Sequence, residues 1–449
     1  MIAPAVAAGH PATALAGAEI LAAGGSAADA AVAAALASCV AETVMTGFLG
    51  GAHAIYFDAA DRTVRNLDCF VSVPSGDGAP MESLDVRFGE ERVAYAIGAS
   101  SCAVPGLPAG LEALWRDHGR LPWPDLVAGA LQLARDGVSL PPAHASCLEM
   151  LSPVMSMREG GAIYAPGGTL LAAGDVLRQP GLVAALELVR DEGAATAYTG
   201  SVARALLALV ADRGGAITAA DLAAYAVTWS EPVACAFQGR RVLTRGGLAG
   251  VAEALGRLGP GGGPSAVLAA LEGVATIDGH TTNLTVVDGA GNACVLTSSL
   301  GLGSGDWLPG LDLHLNSMLG ERDLISAPLE PRARMASMMA PTLVFDGDGL
   351  ELAVGAAGGT RLRTALVTVL DGVLHDNLVP QEAIDRPRFH PAGDVLNAEP
   401  GVDSDWLDRL EARGRTVRRW PERHHYFGGV SAVGRAGAGA DPRRSGAVR

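Results

Sequence analysis

The sequence contains no lysine: all 33 of its basic residues are arginine. This excludes P-loop NTPases, pyridoxal-phosphate enzymes, Schiff-base aldolases and Ser-Lys hydrolases, each of which needs a lysine amine or ammonium. Aromatic residues make up 4% and charged residues 18% of the 449 positions, against 49% hydrophobic, so a large buried core is possible and disorder is not expected. Positive charge is scarce. The net charge of -15 argues against nucleic acid or an anionic membrane surface as partner. The six cysteines (Cys39, Cys69, Cys102, Cys147, Cys235 and Cys294) include no CxxC pair, which favours reduced thiols over a disulfide frame or a zinc site. The ten histidines form no HExxH motif, His424-His425 is too isolated to mark a metal, and no cofactor is implied. Residues 1–40 are apolar, but the first arginine is Arg62, and His10, Pro11 and Glu19 interrupt the run. The expectation is a cytoplasmic enzyme without a leader peptide or membrane span.

The apolar residues that are present fall into helical and extended patterns. Two Ala-rich helices are expected over 11–23 and 26–41, with Gly24-Gly25 between them and Ser26 capping the second through Asp29. An apolar hairpin over Ala54–Phe57 and Val64–Cys69 follows the Gly47–Gly51 loop. Helical patterns recur at 107–118, 123–137, 180–192, 202–213 and 219–225, and LGPGGGP at 258–264 is the best internal break. Paired strands with helices before and after them imply sheets covered by helices on both outer faces.

The most informative stretch is GHTTNLTVVDGAGNACVLTSS, ending at Ser299. Two alternating runs, Leu284–Val287 and Ala293–Thr297, flank a DGAGN turn, which is the pattern of a β-hairpin. Thr281 stands at the start of the first strand. Cleavage after His280 would give it a free α-amine beside its own hydroxyl, a nucleophile and base in one residue; read alone, it is an ordinary Thr-rich strand start, and only its company argues otherwise. Ser299, at the end of the second strand, is placed to reach Thr281 across the ladder. Downstream, a strand through Leu352–Val354 runs into GAAGGT and a helix over Arg361–Leu370. Amides of such a turn suit a developing oxyanion, although a tight strand-helix connection needs the same glycines. The spacing does not fit GxGxxG, and there is no GxSxG elbow. LGSGDWLPG at 302–310 is expected to wall the pocket.

These residues carry a resemblance to the γ-glutamyltranspeptidase family of N-terminal nucleophile hydrolases. HPATALAGAEILAAGGSAADAAVAAALASCVAETVMTGFLGG, VPGLPAGLEALWRDHGRLPWPDL, LRQPGLVAALELV and ITAADLAAY match in order, followed by the Thr281 hairpin, MAPTLVF, GAAGGTR, RPRFH and DPRRSGA. The resemblance implies a four-layer αββα sandwich, with segments 1–280 and 281–449 forming one body after self-cleavage. It further implies Thr281 as nucleophile, Ser299 as its supporting hydroxyl, Gly358 and Gly359 as oxyanion hole, and a small amide or peptide-like substrate. The cleaved halves would be each other's partner.

The departures fall in the pocket. Where the family holds its donor's α-carboxylate with arginine, this chain has Phe70. The acidic residue for the α-amine reads as Glu321 or Asp323. The serine pair that the resemblance implies as a substrate contact reads Ser337-Met338, and the LNNQ-like run reads Leu315-Asn316-Ser317-Met318, with Asn316 implied as a further substrate-binding residue. Gly301 and Asn283 replace an expected asparagine and histidine, only 37 residues separate Leu243 from Thr281, and the 321–337 loop is too short for a lid. A phenyl ring cannot act as a bidentate carboxylate clamp. The expected activity is therefore acyl transfer from a donor other than a standard γ-glutamyl group. Three alternatives stay open: a true γ-glutamyl enzyme with Arg334 or Arg361 as substitute clamp, C-C bond cleavage beside a carbonyl as implied by relatives in natural-product pathways, and a non-catalytic family member.

Overall fold

The computed structural model describes residues 2–88, 91–259, 262–272, 281–325 and 327–449. Two sheets face each other. The first has seven strands in the order Ala447–Val448, Ala5–Ala8, Thr282–Val287, Ala293–Ser299, Gly51–Asp58, Thr63–Cys69 and Thr228–Ser230. The second has six, in the order Gly437–Ala440, Gly429–Gly434, Gly349–Ala357, Thr342–Asp346, Arg240–Thr244 and Val233–Phe237. Between them lies a core that includes Ile55, Phe57, Val287, Val295, Leu343, Phe345 and Val433. Helices cover the outer faces: Pro11–Ala22, Ala27–Ala41 and Trp123–Asp136 on the first, Val251–Leu258 and Arg361–Leu374 on the second. This is the four-layer αββα sandwich.

The helix Ala27–Ala41 is buried along its whole length. Its nine alanines let backbone approach both the sheet and the neighbouring helices, so no polar face is needed. Ser26 accepts the Asp29 amide and Asp29 accepts the Ser26 amide, a reciprocal cap that fixes where the helix begins. The helix ends at Glu42, whose side chain is carried into the interior.

Strand alternation decides which threonine faces which layer. Leu284 and Val286 join the helix-side core, whereas Val287 packs between the sheets and Thr285 Oγ1 donates to Ser431 O in the facing sheet at 2.9 Å. Side chains two apart share a face, so Thr281 belongs to the intersheet side and Thr282 to the helix side. The ladder pairs Thr282 with Ser298 and Asn283 with Thr297, which sets Ser299 opposite Thr281. A one-residue slip would exchange all four.

Some elements differ from expectation. The hairpin Glu82–Phe88/Glu91–Ile97 and the helix Pro142–Met155 have weak or mixed periodicity and were not anticipated. The 302–310 loop does not wall the pocket; its Ser304 and Asp306 are tied to Leu315, and Asp306 takes ion pairs from Arg158 and Arg213. Helices Val251–Leu258 and Pro264–Leu271 flank the expected break, of which residues 260 and 261 lie outside the described set. No single described helix is long and apolar enough to cross a membrane.

Candidate active site

Thr281 is 5% exposed, at the mouth between the two sheets. The strand Gly349–Ala357 of the facing sheet ends beside it and turns through Gly358 and Gly359 into the helix Arg361–Leu374. Gly358 has φ +124° and Gly359 +61°, and a Cβ on Gly358 would lie 2.8 Å from Gly428 Cα. Gly358 therefore needs glycine, and Gly359 sits in the left-handed region that glycine enters most easily. This conformation turns the Gly358 amide toward the candidate nucleophile, and it donates to Thr281 Oγ1 at 2.6 Å. An amide so placed at a helix start is a preorganised donor for negative charge on a reacting oxygen. Three residues before Gly358, on the strand Gly349–Ala357, Gly355 leaves room for the Asn283 side chain, which lies 2.1 Å from where a Cβ would stand. Asn283 in turn pairs with Thr297 Oγ1 at 2.8 Å, bracing the hairpin from the intersheet side.

Ser299 lies on the same side of the hairpin as Thr281, and both line one cavity of about 20 Å³. Its hydroxyl accepts the Gly301 amide at 2.9 Å. Ser298 points the other way and pairs with Thr46 Oγ1 at 2.9 Å. The rest of the cavity wall is Phe70, Met318, Glu321, Leu324, Ser337, Met338, Met339 and Gly359. The structure thus brings together Thr281, Ser299, Gly359, Phe70, Glu321, Ser337 and Met338, with Gly358 hydrogen-bonded to Thr281 Oγ1. Asn316 is not among the lining residues. Its amide is spent on main chain, accepting the Ala103 amide and donating to Leu49 O and Ala103 O, so it anchors the loop that carries Met318. The side chain of Asp323, and His280 with it, lie outside the described residues.

Neither candidate substitute clamp reaches the cavity. Arg334 donates to Phe70 O and Ala226 O, lies 3.2 Å from Asp68 and stacks over Tyr225. Arg361 donates to Tyr426 O at 3.1 Å and lies over the Tyr426 ring. Phe70 stacks on His53, with ring centroids 5.4 Å apart. Burial, then Arg245 and Arg334, hold the His53 imidazole well below its ordinary pKa, so it is neutral. Burial pushes the thiols of Cys39, Cys147 and Cys294 up to about 12, which removes them as nucleophiles. Asp371, His375 and Asp376 cluster at the far end of the helix that Gly358 and Gly359 introduce, and Asp376 is paired with Arg386.

Sequence reasoning missed Met318, Leu324 and Met339 as wall residues. The methionine-rich SMMAP run was the available sign. It also missed Glu42, whose carboxylate accepts the Thr13 hydroxyl at 2.6 Å and the Thr282 hydroxyl from the helix side.

A hydroxyl at a strand start, met by a glycine amide from a facing sheet within an αββα sandwich, defines an N-terminal nucleophile hydrolase or acyltransferase. The comparisons make the family specific. The sequence profile of gamma-glutamyltranspeptidase matches residues 13–256 and 264–449, and the chain belongs to that family. It is 28% identical to the Acylase ACY 1 proenzyme of Pseudomonas sp. (strain V22), covering 94% of this chain and 88% of the relative. It is 25% identical to the Glutathione hydrolase proenzyme of Bacillus subtilis (strain 168), covering 91% and 84%. In fold it is similar to the cephalosporin acylase from Bacillus halodurans, with a TM-score of 0.83, 22% identity and coverage of 100% and 96%.

Proposed function

We propose that the chain is an acylase that cuts itself between His280 and Thr281 and then works through an ester on Thr281 Oγ1. In self-cleavage Oγ1 attacks the carbonyl carbon of His280, its proton passes to the Thr281 nitrogen as the C-N bond breaks and frees the α-amine, and water hydrolyses the resulting ester to restore the hydroxyl and leave a carboxylate on His280. In turnover the amine takes the Oγ1 proton as Oγ1 attacks the donor carbonyl, then delivers it to the departing amine. Water resolves the acyl-enzyme and restores the hydroxyl. The Gly358 amide, which donates to Thr281 Oγ1 at 2.6 Å, and the adjoining Gly359 amide serve as the oxyanion hole in this reading, and Ser299 supports Oγ1. Segments 1–280 and 281–449 remain one body, since the sheet order interleaves strands from both.

The observation that carries the substrate reading is the wall of the acyl cavity. Phe70, Met318, Leu324, Met338 and Met339 form it, and no arginine lines it among the described residues. A donor α-carboxylate would enter without a cation to meet it. An uncharged acyl group suits the wall, and the unbranched methionines can turn aside to enlarge a space of about 20 Å³. Glu321, 4% exposed, offers acceptor oxygens to an amine or hydroxyl on that acyl group. Acylases and glutathione hydrolases both occur among the relatives, and the cavity favours the acylase side.

Mass spectrometry of the purified protein, followed by a panel of acyl anilides, tests this reading. Two fragments ending at His280 and beginning at Thr281, and turnover of an uncharged acyl anilide, are expected. An intact chain after prolonged incubation, in wild type as in Thr281→Ala, would overturn the mechanism.

A further inference from the structure

Behind Thr281 lies a second cavity, of about 10 Å³, room for one water. Its walls include Glu42, His144, Thr281, Thr282 and Arg444. Glu42 is 1% exposed and holds the Thr13 and Thr282 hydroxyls; burial raises its carboxyl pKa, and those two hydroxyls and then Arg444 pull it back toward the charged form. Arg444 is 5% exposed, yet the acceptor its guanidinium meets is the thioether of Met45, 2.7 Å from Nη1. Its Nε has no acceptor among the described residues. Arg444 Nη2 would lie 3.3 Å from a Cβ on Gly358, so this charge adjoins the residue whose amide holds Thr281 Oγ1.

A buried guanidinium ordinarily pairs with a carboxylate. Asp441 is near, but its oxygens go to Arg388 at 2.6 Å and Arg443 at 3.2 Å. Thioether sulfur is a weak acceptor. The charge of Arg444 is thus left largely unspent beside the nucleophile.

We propose that Glu42 and Arg444, opposite charges on the walls of the cavity behind Thr281, together tune the α-amine of Thr281, the base of the reaction. The proposal rests on the self-cleavage reading above. An ordinary α-amine has a pKa of about 7.7–8.0 and is largely protonated at neutral pH, when it cannot accept the Oγ1 proton. A fixed cation beside the strand start favours the neutral amine, and Glu42 opposes it while holding Thr282 in register.

The other groups around the pair do not replace either charge. Arg444 faces Glu42, Asp441, Arg361, His144 and Cys147, and Glu42 faces Arg444, Cys39, Thr13 and Thr282. Asp441 is neutralised by its two arginines. Arg361 adds charge of the same sign as Arg444. Cys39 and Cys147 are thiols pushed up to about 12. His144 places Nε2 between Gly9 O and Arg444 O, and burial lowers its pKa to about 3, so it is neutral.

The test follows Thr281 by ¹³C NMR in processed, threonine-labelled enzyme across a pH titration, which needs no substrate. Arg444→Met should raise the amine pKa by about one unit, Glu42→Gln should lower it, and Arg444→Lys should stay near wild type. A merely structural role would not move the two variants in opposite directions. An amine pKa that shifts in neither variant, in processed enzyme, overturns the proposal and leaves the self-cleavage reading intact. A wild-type chain that never processes overturns both. If Arg444→Met is recovered only as aggregate, Glu42→Gln decides: an unchanged amine there rejects the proposal.

Discussion

Gly301 and Glu321 occupy one space: a Cβ on Gly301 would stand 2.5 Å from Glu321 Oε1 and 2.7 Å from Ser317 Oγ. Two departures from the family pattern, glycine where asparagine is expected and glutamate as the acidic residue, are therefore a single adjustment of the acyl cavity. The longer glutamate side chain reaches into the room that the missing Cβ leaves. Gly301→Asn tests the coupling. Asparagine tolerates the φ of +69° at this position, so the backbone should survive while the Glu321 carboxylate is displaced. Turnover of the best anilide in the panel should fall at least about tenfold, equal to about 1.4 kcal/mol of transition-state stabilisation. The melting temperature should move far less than for a core substitution. Unchanged turnover would separate Glu321 from the acyl group.

Phe70 closes the cavity where a carboxylate clamp is expected, with His53 stacked behind it. Wild-type enzyme should hydrolyse γ-glutamyl anilides and glutathione at least about tenfold less efficiently than an uncharged acyl anilide, the loss expected when a charged group meets no donor. Phe70→Arg should not restore γ-glutamyl turnover. Arg245 and Arg334 already act on His53, and Glu321, on the same cavity wall as residue 70, would compete with the donor carboxylate for a third guanidinium. Glutathione turnover with a micromolar KM in wild type would defeat the specificity argument. Gain of it in Phe70→Arg would show that the pocket, apart from this ring, still recognises the glutamyl group.

The hairpin and the glycine turn were readable because each carries a local rule. Period-two alternation put Thr281 and Ser299 on one face and Ser298 on the other, and the glycines at 358 and 359 announced a left-handed backbone that glycine favours. The helix Ala27–Ala41 was readable from its cap even though burial on all sides erases its periodicity. What could not be read is the pairing of distant segments. Glu42 looks like an ordinary helix end until Thr282 is folded against it, and Arg444 is one of two adjacent arginines until Arg443 takes Glu399 and Asp441. Asn316 failed in the opposite way. A family position implied a substrate contact, whereas its amide is consumed by Leu49 and Ala103 main chain. Met318, Leu324 and Met339 entered the wall because two loops close over Phe70, and no spacing rule relates 70 to 318 or 339.

The buried histidines give the fold a defined acid sensitivity. Burial lowers the pKa of His10 to about 4, and of His144 and His314 to about 3. His314 shows why protonation is resisted: Nε2 accepts the Gly305 amide at 3.0 Å while the ring stacks on Trp307 at 3.9 Å. In the unfolded chain these groups titrate near 6.5. Below that pH the unfolded state binds protons that the native state does not, so their contribution is present above about 6.5 and is lost as pH falls toward 4 and then 3. Each contributes a slope of up to about 1.4 kcal/mol per pH unit. Denaturant unfolding at pH 7, 6 and 5, where most carboxylates stay ionised, should show falling stability. His314→Gln should flatten that slope by one histidine's share. A slope unchanged in the variant would remove His314 from the effect.

Ser299 and Ser298 are neighbours in sequence with opposite surroundings, which makes them a controlled pair. Ser299 shares the cavity of Thr281, follows the Thr282–Ser298 pair that ends the ladder, and has its hydroxyl oriented by the Gly301 amide. Ser298 is on the helix side, where its partner is Thr46. If Ser299 orients Thr281 Oγ1 and helps carry its proton, Ser299→Ala should slow both self-cleavage and turnover by roughly 10²-fold or more, the range of positioned proton-transfer partners. The loss should appear in kcat, with KM little changed, because the contact strengthens as Oγ1 attacks rather than when donor binds. Ser298→Ala removes a buried hydrogen bond, so it should lower stability by about 1 kcal/mol and leave both rates within a few-fold. Fragment appearance after dilution from denaturant measures the first step, and anilide hydrolysis measures the second. Equal effects from the two substitutions, or none from either, would remove Ser299 from the reaction and leave Thr281 supported by Gly358 alone.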